Sequence, residues 1–160
     1  MDGSGSNHDP KKDQPFASRS PFEEPPADHP QILVVEDNPA DVYLIRVAIK
    51  AENIDADLHV VKDGEEAMRF FDEVDHYTVP CPTMVILDIN LPKKQGGEVL
   101  QYMRKSRRCG SVLVVAISTS DSESDRAAMA RLGANGYFHK PSVFKDFMKL
   151  GTLVKELLKD

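Results

Sequence analysis

Cysteine is scarce: Cys81 and Cys109 are the only two in 160 residues, and they stand well apart with no CxxC pair or histidine cluster beside them. Neither a disulfide framework nor a zinc site is expected from that spacing, and a reducing cytoplasm suits the chain. Positive charge is also in short supply, with 20 Lys and Arg against 26 Asp and Glu, a net charge of -6 and a pI near 5.4. No basic excess is left to cover a phosphate backbone, so nucleic acid is not expected as a direct partner. Nor does any stretch approach the roughly eighteen consecutive apolar residues of a membrane span. The amino terminus lacks the basic start and apolar run of an export signal. The histidines His8, His29, His59, His76 and His139 are scattered and suggest no metal. A Ser/His/Asp set, an HExxH pair and a GxxxxGK[ST] loop are all missing.

The chain does contain 41% hydrophobic and 29% charged residues, which suits one domain with a single core. Residues 1–30 stand apart from the rest. They hold six of the eleven prolines and a GSGS run at 3–6, with only Phe16 and Phe22 as large apolar groups beyond Met1. Such a segment buries too little surface to offset its ordering entropy, so a flexible leader is expected there, with a proline-rich docking peptide as the functional alternative.

From Gln31 onward, short apolar runs alternate five times with amphipathic stretches. Ile32 to Val35, Leu58 to Val61, Met84 to Leu87, Val112 to Ile117 and Tyr137-Phe138 read as strands. Helical spacing follows each: Val42, Leu44, Ile45, Ala48 and Ile49 first, then a helix opened by Asp63-Gly64, another after Gly96-Gly97 and a fourth capped within Ser120-Asp121-Ser122. That fourth helix ends at Gly133, where positive φ is expected. Ser142 is expected to cap the last helix, which carries Phe144, Phe147, Leu150, Val154, Leu157 and Leu158 along one face. Met68, Met103, Met129 and Met148 fall on helix faces as core residues. Alternation of this kind predicts an α/β fold, a parallel sheet covered on both faces by helices, with its chemistry just beyond the carboxyl ends of the strands.

At those ends stand Glu36 and Asp37, Asp88, Ser118 and Thr119, and Lys140. Three carboxylates brought together repel one another and persist as anions only around a cation. Hard oxygen ligands with room for water favour Mg²⁺ over zinc. Asp88 has a strand of its own and is the candidate nucleophile, because a carboxylate can accept a phosphoryl group as an aspartyl phosphate. Lys140 and Ser118 would then neutralise and hold phosphoryl oxygens, and no general base is needed.

These residues resemble the receiver domain of two-component response regulators, and the likeness spans 31–160. Glu36-Asp37 closing ILVVED looks like that family's metal-binding pair, and Asp88 in VILDINLP looks like its phosphorylated aspartate. Ser118 and Lys140 fall at the family's spacings for the switch hydroxyl and the lysine. The resemblance implies a five-stranded parallel sheet in the order 2-1-3-4-5, a flavodoxin-like three-layer sandwich with five helices. It implies Mg²⁺ held by Glu36, Asp37, Asp88 and the Asn90 carbonyl, a cis peptide bond at Pro141, and Tyr137 as an aromatic whose rotamer follows phosphorylation. It also implies a sensor histidine kinase as partner, and self-association through the fourth helix, fifth strand and fifth helix. The long stretch from Asp72 to Pro82, with NLP after the aspartate and STS at the switch, looks like the single-domain receivers that partner phytochrome-type and hybrid kinases. Ser118 replaces the family's commoner threonine, which keeps the hydroxyl and drops a methyl.

Other readings attach to the same residues. Glu36 and Asp37 could be helix-initiating anions before Pro39, Lys140 a solvated lysine and Tyr137 a half-buried strand aromatic. Lys93-Lys94, Arg104-Lys105 and Arg107-Arg108 read as solvated charge, since nothing aromatic interleaves them. A DxDxT-type phosphatase would need an aspartate where Asn90 stands. A flavin module would need a hydroxyl-rich phosphate loop where Glu36-Asp37 stands. A receiver-like scaffold that accepts no phosphate would share every residue type.

Overall fold

The computed structural model describes residues 19–25 and 28–159. Five parallel strands, β1 (Gln31–Val35), β2 (Asp57–Val61), β3 (Met84–Asp88), β4 (Leu113–Ser118) and β5 (Gly136–His139), pair in the order β2-β1-β3-β4-β5. The helices between them are α1 (Pro39–Ala51), α2 (Gly64–Asp75), α3 (Gly96–Arg104) and α4 (Glu123–Arg131). After β5 the expected last helix comes in two pieces, α5 (Phe144–Phe147) and α6 (Lys149–Lys159).

Side chains of a strand point alternately to its two faces, and the core divides accordingly. Leu33, Val35, Val85, Leu87, Val114 and Ala116 join Phe70, Phe71, Val99, Leu100 and Met103 of α2 and α3 on one face. Ile32, Val34, Met84, Ile86, Val115 and Ile117 meet Ile45, Ile49, Phe147, Leu150 and Val154 of α1, α5 and α6 on the other. Strands buried on both faces need unbroken apolar runs, which is how β1, β3 and β4 read.

Helix starts follow their caps. Asn38, Asp63 and Ser122 accept the backbone N–H of Ala40, Glu66 and Asp125 at 2.9, 2.9 and 3.0 Å. Gly133 takes φ +100° beyond α4, as its position after that helix predicts. The last helix departs from expectation: its N-cap is Val143, in extended conformation and with no side-chain oxygen to offer, rather than Ser142.

Two further expectations are corrected. Cys81 and Cys109 form a disulfide, with their Cα atoms 5.8 Å apart. Distance along the chain concealed this; Met84 pairs with Leu113 across adjacent strands, and the cysteines precede those two residues by three and four positions at the same end of the sheet. The peptide bond before Pro141 is trans, as is every other among the described residues, and Lys140 reaches its partners with that geometry. The leader from Arg19 onward lies against the domain where it is described. Arg19 pairs with Asp57 at 3.2 Å, and His29 sits 3.3 Å from Asp55 and 3.1 Å from Asp57. Phe22 stacks on Tyr77 at 5.2 Å, and the Arg108 guanidinium lies 4.2 Å from the same ring. These contacts are made by ion pairs and one aromatic rather than by buried aliphatics. The expectation for residues 1–18 lies outside the described residues. No helix among the described residues is long and apolar enough to cross a membrane.

Candidate active site

The chain runs from β1 out to β2 on one side and returns to β3 on the other, so the carboxyl ends of β1 and β3 border the crevice where an open α/β sheet binds ligands. Glu36 and Asp37 follow β1, and Asp88 closes β3. One oxygen of each of these three carboxylates lies within 4.8 Å of the others. Glu36 and Asp88 are buried, whereas Asp37 faces solvent.

Backbone geometry fixes the two buried acids. Glu36 extends the ladder by donating its N–H to Val61 at 3.1 Å, and its Oε1 accepts the Asn38 N–H at 3.1 Å. Asp88 Oδ1 accepts the Asn90 N–H at 2.9 Å, which turns the chain immediately after the strand. Gly96 is required just beyond: a Cβ there would stand 2.4 Å from Ile89 Cα and 2.9 Å from the Asp88 carbonyl oxygen, so only glycine lets α3 start against this turn.

Lys140 supplies the cation. Its backbone N–H donates to the Ser118 carbonyl at 2.7 Å, and its Nζ donates to Glu36 Oε2 at 2.7 Å, Asp41 Oδ2 at 2.9 Å and Asp88 Oδ2 at 3.1 Å. Burial alone would lower the ammonium's pKa. Hydrogen bonds to Glu36 and Asp41, with the charge of Asp88, outweigh it and hold the group raised and protonated. Burial pushes the Glu36 carboxyl up to about 7, against the hydrogen bond from Lys140 and with the repulsion of Asp88.

Asp41 was not among the expected site residues. It stands at the third helical position of α1, after the Asn38 cap and Pro39. Side chains in a helix lean toward its amino terminus, so an acid in the first turn of α1 leans back over the end of β1. That signal was present in the sequence but looks the same as the ordinary preference for acids in first turns.

Ser118 is fully buried, yet its hydroxyl does not touch Asp88. Its Oγ accepts from Asn90 Nδ2 at 3.2 Å and from the Ser120 N–H at 2.9 Å. Asn90 thus links the turn after β3 to the end of β4 through its side chain. Tyr137 is half-buried, and its hydroxyl donates to the Ser120 carbonyl at 2.9 Å.

The donor set suits a hard divalent cation: Glu36, Asp41 and Asp88 share one ammonium, and Asp37 adds a fourth carboxylate beside Glu36 and Asp88, which leaves net negative charge and oxygen ligands at the exposed Asp37 side. The model of the response regulator receiver domain matches residues 32–150. The chain belongs to that family. Among similar receivers, response regulator Rcp1 of Synechocystis sp. is 38% identical over 120 residues, 74% of this chain and 82% of the relative. The probable methanogenesis regulatory protein FilR2 of Methanothrix harundinacea is 33% identical over 125 residues, 78% of this chain and 81% of the relative. Among solved receivers, the Mn²⁺-bound form of Rcp1 superposes with a TM-score of 0.70 at 35% identity, covering 79% of this chain and 92% of that one. The phosphorylated cyanobacterial phytochrome response regulator RcpA gives 0.73 at 32% identity, covering 82% and 95%. As in this receiver family, the chain is a two-component signalling module related to phytochrome response regulators, with the 2-1-3-4-5 sheet that the resemblance implies.

Proposed function

We propose that Asp88 accepts a phosphoryl group from the phosphohistidine of a sensor histidine kinase, with Mg²⁺ held by Glu36, Asp37, Asp88 and the Asn90 carbonyl. The observation that carries this is Lys140 bridging Glu36 and Asp88 beside an exposed third acid. One Asp88 carboxylate oxygen attacks phosphorus as the P–N bond to the histidine breaks, and the imidazole departs with its electron pair and takes up a proton. The metal ion, when bound, neutralises charge on the carboxylates and on the incoming phosphoryl oxygens. Lys140, already aimed at Asp88 Oδ2, neutralises a phosphoryl oxygen in the transition state. Ser118 Oγ leaves Asn90 and Ser120 to donate to another, and Tyr137 moves into the space vacated.

Phosphorylation adds nearly two negative charges at position 88, and this local change biases the surface made by α4, β5 and the α5–α6 helix. That face exposes Val143 and Phe144 and is the surface proposed for a second copy or another partner. A phytochrome-like or hybrid kinase is the proposed donor, since Rcp1 and RcpA are the relatives named above. The reading includes no conventional catalytic turnover and neither nucleic acid nor membrane as a direct partner. A cytoplasmic location belongs to it too, although the Cys81–Cys109 bond lends that no support.

The test is incubation with Mg²⁺ and acetyl phosphate or phosphoramidate, followed by intact mass. One added phosphoryl, absent from Asp88→Asn, is expected. No adduct would leave a receiver-like scaffold, and sustained ester hydrolysis would favour a phosphatase.

A further inference from the structure

Ser120 makes hydrogen bonds in three directions. Its N–H donates to Ser118 Oγ at 2.9 Å, its carbonyl accepts the Tyr137 hydroxyl at 2.9 Å, and its own Oγ donates to Asp125 Oδ2 at 2.6 Å while accepting the Ser122 N–H at 3.2 Å. The Tyr137 ring is held from a second side. The Arg126 guanidinium of α4 lies 4.7 Å from the ring centroid, and Arg126 Nη2 donates to Asp121 Oδ1 at 2.8 Å. Serine, tyrosine, arginine and aspartate therefore form one chain of contacts from the end of β4 to the first two turns of α4.

We propose that Arg126, braced by Asp121, is the positioning residue that latches Tyr137 in its unphosphorylated rotamer, and that Ser120 is the link through which Ser118 releases that latch. The proposal deepens the reading of Asp88 as phosphoacceptor and rests on it. A cation over an aromatic face is attractive, and turning Tyr137 inward gives up both that contact and the hydrogen bond to Ser120. The two contacts together hold the ring where it is until the site draws Ser118 away. Movement of Ser118 removes the acceptor of the Ser120 N–H, and the same peptide chain carries the carbonyl on which the Tyr137 hydroxyl rests. Arg126 touches neither Asp88 nor Lys140, so its effect on phosphorylation comes only through the balance between the two states.

The full chain labelled with 3-fluorotyrosine tests this by ¹⁹F NMR, with the Tyr137 resonance assigned by Tyr137→Phe. In the unphosphorylated protein, Arg126→Gln is expected to displace the Tyr137 resonance while Tyr43, Tyr77 and Tyr102 stay in place. Asp121→Asn should displace it in the same direction and less, and Arg126→Lys should restore part of the original position. With acetyl phosphate and Mg²⁺, Arg126→Gln should phosphorylate about two- to fivefold faster, the size of an exposed cation–π contact. An unmoved Tyr137 resonance in Arg126→Gln overturns the latch, and so does a displaced resonance with an unchanged rate. If the parent chain forms no adduct, the Asp88 reading fails instead; the resonances of the unphosphorylated variants then still decide whether Arg126 holds the ring.

Discussion

Lys140 Nζ lies 3.1 Å from Asp88 Oδ2 across 52 residues of chain, and the same ammonium also serves Glu36 and Asp41. The lysine is nearly buried, with 8% of its side chain exposed, so it is the compensating charge for acids that could not share this crevice alone. Lys140→Met should therefore destabilise the metal-free protein by about 3 kcal/mol, the cost of leaving buried carboxylates uncompensated. Urea denaturation measures this, and millimolar Mg²⁺ should recover part of the loss. Asp41→Asn should cost less, about 1 kcal/mol, because Asp41 is partly exposed and Lys140 keeps two partners. Equal losses in the two variants would contradict this ranking.

Gly96 and Gly97 are adjacent in the sequence and opposite in consequence. A Cβ at 96 meets backbone at 2.4 Å, whereas one at 97 meets only the flexible ends of Leu132 and Met129 at 3.5 Å. Gly96→Ala should lower stability by about 1–3 kcal/mol through displacement of the turn after Asp88. Gly97→Ala should be neutral or stabilising by up to about 1 kcal/mol, since alanine favours helix. Thermal melts of the pair decide the point.

The two-sided core, the caps at Asp63 and Ser122 and the positive φ at Gly133 were readable from apolar runs and capping residues, because each is governed by neighbours close in sequence, whereas the strand order came from the family resemblance. The convergence of Glu36, Asp37, Asp88 and Lys140 was readable because the ends of parallel strands open on one edge of the sheet. Asp41 was not, since an acid at the third position of a helix has an ordinary explanation. The Cys81–Cys109 bond and the docking of Arg19 and Phe22 depend on which loops share an end of the sheet. Spacing along the chain does not carry that information.

The disulfide closes the segment between the α2–β3 loop and the α3–β4 loop. Peptide mapping without reductant should recover Cys81 and Cys109 in one linked pair. Loss of the cross-link, by reduction or in Cys81→Ser, should reduce stability by about 2–4 kcal/mol. A full-length melt that is indifferent to reductant would contradict the contribution.

Acid should weaken the fold through Asp63 and Asp75. The Glu66 N–H holds the Asp63 carboxyl below its ordinary 3.8, and although burial pushes Asp75 up, the Ser106 hydroxyl and the Arg108 and Arg107 N–H groups pull it below the same value. Carboxyls depressed in the folded state stabilise it above about pH 4, and that contribution is lost as pH falls through their lower folded values. Ser106→Ala should move the acid unfolding midpoint upward, and Asp63→Ala should cost about 1 kcal/mol at neutral pH as a lost helix cap. Acid titration followed by circular dichroism checks both.

Identification of the modified atom tests the central claim most directly. Protein treated with Mg²⁺ and acetyl phosphate is reduced with borohydride, which converts an aspartyl phosphate to homoserine, and the peptide spanning Met84–Asp88 is sequenced by mass spectrometry. The account predicts homoserine at position 88 and at no other acid. Position 88 remaining aspartate, homoserine at Asp37 or Asp41, or the one-carbon-longer hydroxynorvaline at Glu36 would contradict it.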